Sequence, residues 1–281
     1  MSDGAWSPVI PTGREAALTE EFPGYLRESI CRWLKSQVKI SSGYVRSDRF
    51  VDFQNAYRTD LGFHADALLD WTDTVLPYLR KISTENFTNL IDYFASTGYF
   101  PRGQEHDLES TLSDGGSAWT VIRWNESHAR LTKRVSDGVQ LAVRDVLSAT
   151  DAASAKLQEA WLDAYGTSPR ASVAYSHAVV AVETAALSLI ETGKEEPTLG
   201  TVITVLEASN PKWRLVLRDN EKAPSAKSLA TMMRVLWRGH ASRHGRPDYA
   251  DATLEEARAA VILAATLVQW LTSGVVIPVE A

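Results

Sequence analysis

Cysteine is almost missing from this chain: among 281 residues there is one, Cys31. A lone thiol excludes an internal disulfide and any zinc centre built on paired cysteines, and it suits a reducing compartment such as the cytoplasm. Long unbroken hydrophobic runs are missing too. The two most apolar stretches, 173–190 and 257–271, are interrupted by Glu183 and by Arg258 and Gln269, so neither a membrane span nor a membrane partner is expected. Residues 1–14 carry Pro8, Pro11 and Gly13 but no basic segment followed by an apolar one, so the pattern of a secretory leader is absent. Gly115-Gly116 lacks the Gly-Lys-Ser/Thr ending of a phosphate loop, which removes the simplest nucleotide-binding reading.

What is present is the composition of a folded globular protein, with 44% hydrophobic and 23% charged residues. The length exceeds one ordinary domain and favours two. The break Gly166-Thr167-Ser168-Pro169 places the expected boundary between 1–165 and 166–281.

Periodicity makes the chain mainly α. Residues 25–39 repeat apolar side chains at helical spacing (Leu26, Ile30, Trp33, Leu34, Val38), and 50–59, 65–82, with Pro77 bending or ending a helix there, and 84–96 read as further helices. Alternation then predicts two strands, 117–123 and 128–135, forming a hairpin that is the principal β element of a helical N-terminal domain. Helical spacing resumes over 139–147 and 152–164. Beyond the break, helices over 172–190, 198–209, 226–237 and 253–273 predict a four-helix bundle within 171–274.

The net charge of -6 argues against a nucleic-acid partner only on average. Residues 210–246 hold nine basic side chains, among them Lys227, Arg234, Arg238, Arg243 and Arg246, against Asp219 and Glu221, a local charge of +7. A basic run can be no more than a solvated face, yet this one contains a pattern able to do chemistry.

That pattern is Leu236-Trp237-Arg238-Gly239-His240-Ala241-Ser242-Arg243-His244-Gly245. Residues six apart on a continuous helix point about 240° away from each other, so Arg238 and His244 meet only if the helix ends between them. Gly239 and Gly245 make such an end plausible. His240 and His244 are spaced like two metal ligands, but Ala241, Ser242 and Arg243 supply no further ligand and no catalytic Glu. No metal and no cofactor is expected. Glu183, with Val179, Val180, Ala186 and Leu187 three or four residues away, is expected to be buried and to pair with an Arg or His from 234–244. Such a pair would either orient helices or position the arginine.

These residues, with the runs 160–166 and 174–183 and Thr198-Leu199-Gly200, resemble the C-terminal domain of abortive-infection proteins of the HEPN superfamily. The likeness covers about 120 residues, and 113–147 resembles N-terminal regions joined to such domains in that class. The family pattern is Arg, four to six residues, then His, commonly with a polar residue after the Arg. Arg238 and His244 match with five between, whereas Gly239 holds the usually polar position and His240 could supply that group.

The resemblance implies a metal-independent endoribonuclease of phage-defence or toxin type, with Arg238 and His244 catalytic and Glu183, His240 and Arg243 supporting. It also implies RNA as substrate along Lys227, Arg234 and Arg246, a homodimer whose motifs face each other, and an antitoxin or phage-derived trigger as further partner. The alternative is a noncatalytic HEPN-like module for dimerisation, RNA binding or sensing. A DNA-binding regulator is disfavoured, because the basic segment contains no convincing helix-turn-helix.

Overall fold

The computed structural model describes residues 18–41, 43–97, 104–123, 129–239 and 251–279. Among them the chain is mainly α-helical, with 11 α-helices, as the periodicity predicts. It divides into two compact units, Met1–Arg134 and Val135–Ala281.

In the first unit α1 (Gly24–Val38) leads into β1 (Lys39–Ser41) and β2 (Tyr44–Arg46), followed by α2 (Asp48–Tyr57) and β3 (Leu68–Asp70). A single π turn, Trp71–Val75, then runs into α3 (Leu76–Lys81), and α4 (Thr84–Thr97), α5 (Gln104–Asp114), β4 (Trp119–Arg123) and β5 (Ala129–Lys133) complete it. The core is aromatic: Phe50, Phe53, Phe87 and Phe94 are fully buried around Leu26, Ile30 and Leu34 of α1.

Three polar anchors, Asp92 and Arg27 buried and Glu109 half-buried, hold this unit together. Asp92 of α4 accepts from Arg130 Nε at 3.0 Å and Nη2 at 2.8 Å and from the Leu131 backbone N–H at 2.8 Å, which fixes β5 on the helix. Glu109 of α5 accepts from Thr120 Oγ1, the Val121 N–H and Arg134 Nη2 at 2.8–2.9 Å, holding the other strand. Arg27, 8% exposed, gives Nη1 to the carbonyls of Leu79, Arg80 and Ile82 at the end of α3. Its guanidinium thus satisfies carbonyls that a helix end leaves without partners.

The expected hairpin is present as β4 and β5, antiparallel from Trp119↔Lys133 to Arg123↔Ala129. It is not the principal β element, because the unit also contains a three-stranded antiparallel sheet, β1-β2-β3. Nor is 65–82 one helix. Its first residues pair with β2, and the Asp70 side chain accepts from the N–H groups of Thr72 and Asp73, both at 2.8 Å, so the helical path starts only at Trp71.

The second unit consists of α6 (Asp137–Ser148), α7 (Ala152–Tyr165), α8 (Ala171–Leu189), α9 (Leu199–Leu206), β6 (Trp213–Leu215), α10 (Ser225–Gly239), α11 (Leu254–Thr272) and β7 (Val276–Pro278). The four helices expected in 171–274 are there, but the tightest packing unites α8 with α7 and α11, while α9 pairs with α10. The compact unit therefore begins at Val135, upstream of the break at 166–169, because Leu157, Ala160, Trp161 and Ala164 of α7 are buried. By length and composition α8 could cross a membrane. Its Ala174, Ala178, Val179, Val182 and Ala186 are buried, as in the core helix of a bundle.

Burial also governs the lone thiol: Cys31 is 1% exposed, and desolvation, reinforced by Glu28, pushes it up to about 12. The thiolate is the reactive form. Native protein at pH 8 should therefore leave Cys31 unlabelled by a thiol reagent over the time in which the denatured chain reacts completely, and rapid native labelling would contradict the packing of α1.

Candidate functional site

The basic helix α10 is fixed at its start by two neighbours. Asp219 Oδ1 accepts from the Ser225 N–H at 2.6 Å, and Ser225 Oγ accepts from the Leu215 N–H at 3.2 Å, which ties the helix to β6. Ala226, Leu229, Ala230, Met233 and Leu236 are buried and repeat at three and four residues, so they define the inner face. Lys227, Thr231 and Val235 are exposed. Positions 227, 234 and 238 lie within about 40° of one another around the axis, so they share the outer side.

Arg238 thus sits in the last turn of α10, where the helix ends at Gly239. The Arg238 side chain, His240, Arg243, His244 and Arg246 lie outside the described residues, as does the expected convergence of guanidinium and imidazole. Lys227 is exposed and makes no ion pair among the described residues, whereas Arg234 is paired through Nη2 with Glu207 at the end of α9. Close packing sets the distance between these two helices: a Cβ on Gly200 would lie 2.8 Å from Cη2 of Trp237.

The far side of the motif segment is anchored as well. Ser172 Oγ donates to Asp251 Oδ1 at 2.9 Å and accepts from the Ala252 N–H at 3.1 Å. Immediately after it, Thr253 and Glu256 form a capping box that starts α11. The backbone N–H and hydroxyl of Thr253 hold the Glu256 carboxyl below its ordinary range. Ser172 of α8 therefore fixes the chain where the described residues resume at Asp251. Ser172, Ser176 and Glu183 share one side of that helix, within about 40°.

Glu183 departs from expectation. It is half-buried rather than enclosed, and it has no ion pair or hydrogen bond among the described residues. The reason is the azimuth of its neighbours: Val180 is 37% exposed and Leu187 half-buried, so only Val179 and Ala186 of the four apolar residues beside it are enclosed. Its expected partner falls in 234–244, where the side chains from 238 onward lie outside the described residues.

A polar network that the sequence reading missed lies where α7 meets α8. Asp163, 6% exposed, accepts from Arg170 Nε at 2.8 Å and Nη2 at 2.6 Å and contacts His177 Nδ1 at 3.0 Å. His177 Nε2 lies 3.4 Å from Glu159, which Lys156 holds at 2.8 Å. The available signal was Asp163 itself, set among Ala160, Trp161 and Ala164 on a face that must be buried. All charges there are matched, so its work is to close the 166–169 turn. Asp163→Ala should lower stability by about 2–3 kcal/mol by leaving Arg170 and His177 without their carboxylate; chemical denaturation of the full chain measures this, and an unchanged transition would make the network a surface ornament.

Searches of family models, of curated proteins and of solved structures each returned no match to this chain.

Proposed function

We propose that this protein is a metal-independent endoribonuclease of the HEPN type, in which Arg238 and His244 act on one phosphodiester and two copies of the chain face each other. The supporting observation is the placement of the Arg-x5-His sequence at a helix end. Position 238 occupies the last turn of α10 on the side that carries Lys227 and Arg234, and Ser172 holds Asp251 and Ala252, the first described residues after His244. The mainly helical second unit agrees with the bundle that the resemblance implies.

The chemistry follows from the residue types. An imidazole titrates near neutrality and can take the proton from a ribose 2'-OH. The 2'-oxygen then attacks phosphorus, the bond to the 5'-oxygen breaks, and the leaving oxygen takes up a proton from a second imidazole, that of the partner protomer. A guanidinium beside the phosphate offsets the charge that builds on its nonbridging oxygens, and its fixed charge needs no metal to do so. The products are a 2',3'-cyclic phosphate and a 5'-hydroxyl. Lys227 would hold the flanking backbone phosphates, joined by Arg234 where a phosphate displaces Glu207. Glu183, Arg243, His240 and Arg246 complete the groove in this reading.

Purified protein should cleave single-stranded RNA in EDTA and leave 2',3'-cyclic ends. His244→Ala and Arg238→Ala should each lower the rate by at least about a hundredfold, and RNA affinity should fall mainly in the arginine variant. Cleavage undiminished in both variants would remove the motif as the active site. The noncatalytic module rests on Gly239, which stands where the family usually has a polar residue; a wild-type protein that dimerises and binds RNA without cutting it would establish that reading instead.

A further inference from the structure

The first unit contains a cleft of about 520 Å³ between α1 and α5, within the size range of small-molecule sites. Its walls are two polar stripes where packed helices ordinarily present apolar ridges. Tyr25, Ser29, Arg32 and Ser36 recur at four, three and four residues along α1, and Asp107, Thr111 and Asp114 at four and three along α5. Each set lies on one side of its helix. Leu26 and Trp33, both buried, form the apolar floor.

The walls are held in place. Tyr25 Oη donates to the Gly115 carbonyl at 3.0 Å, and a Cβ on Gly115 would lie 2.5 Å from Leu26 Cδ1, so a side chain there would have to displace Leu26. Arg32 on α1 and Asp107 on α5 both line this cleft, one on each wall.

They do not pair. Among the described residues neither side chain has an ion pair or hydrogen bond. The hydroxyls of Ser29, Ser36 and Thr111 donate to carbonyls of their own helices, and Asp114 accepts only from Ser110 at 3.3 Å. Two opposite, uncommitted charges on the two walls of one cleft suit a ligand that carries an anion and a cation side by side.

We propose that the cleft binds a free basic α-amino acid, with its carboxylate on Arg32, its ammonium on Asp107 and its side chain directed along Ser29 and Thr111 toward Asp114. A guanidinium–carboxylate pair and an ammonium–carboxylate pair fix the head group. Asp114, at the far end of the stripe, selects a cationic tail over an acidic one. This inference uses the first unit alone and stands apart from the ribonuclease reading.

Titration calorimetry of the full-length protein tests it with L-arginine, agmatine, which lacks the carboxylate, and L-glutamate. L-Arginine should bind saturably, agmatine about tenfold or more weaker, and L-glutamate weakest. Arg32→Ala should weaken L-arginine about tenfold and leave agmatine unchanged, so that the two bind alike, because only the carboxylate contact is removed. Asp107→Asn should weaken both. Arg32 and Asp107 are exposed, so both variants should keep the wild-type circular dichroism. No saturable heat with L-arginine at about 10 mM, or equal affinities in wild type and both folded variants, would overturn the proposal.

Discussion

A helix as apolar as α8 has to be enclosed on several sides at once, and the second unit is arranged around that requirement. Burial of its Ala and Val side chains needs α7 and α11 as flanks. Small residues such as Ala174, Ala178 and Ala186 let the flanking helices approach closely. Enclosure leaves two weak points, the turn into α8 from α7 and the start of α11. Both are closed by polar groups of α8 itself or of the turn before it: Arg170 and His177 hold Asp163, and Ser172 holds Asp251 and Ala252. The residue that tethers the motif segment is thus part of the same solution as the core.

The first unit solves a different problem, that of attaching small sheets to helices without a large continuous β surface. Asp92 and Glu109 each receive both an arginine side chain and a backbone N–H from the β4–β5 hairpin. A carboxylate can accept several donors at once, so one residue per helix fixes position and orientation together. An isolated hairpin is marginal in water; these two anchors and the buried Ala129 and Leu131 are what give it a place.

How much of this could be read in advance depended on whether the cause was local. Helices with a clear apolar period, such as α1, α4, α7 and α11, came out within a few residues of their expected limits, because periodicity and burial report the same face. The segment 65–82 misled because its first residues owe their conformation to pairing with β2, a contact distant in sequence. α5 escaped notice because only Leu108 and Leu112 are buried on it among the described positions. The burial of Glu183 was overjudged by counting apolar neighbours without asking which of them faced outward, and that of Asp163 was missed by not counting them at all. For the motif, its spacing and its place at a helix end were legible; what the imidazole and guanidinium face depends on residues outside those described.

One small element has wide leverage. β6 is held on one edge by β7, with Leu215 opposite Val276, and on the other by Ser225 at the start of α10. A strand of three residues has almost no register redundancy, and sliding it by one would turn Leu215 outward and carry Ser225 with it. The azimuth of α10, and with it of Arg234, is consequently metered by the pairing of 213–215 with 276–278. A helix gauged in this way can be re-aimed by a change outside α10, and the strands that do so would leave no mark on the motif itself.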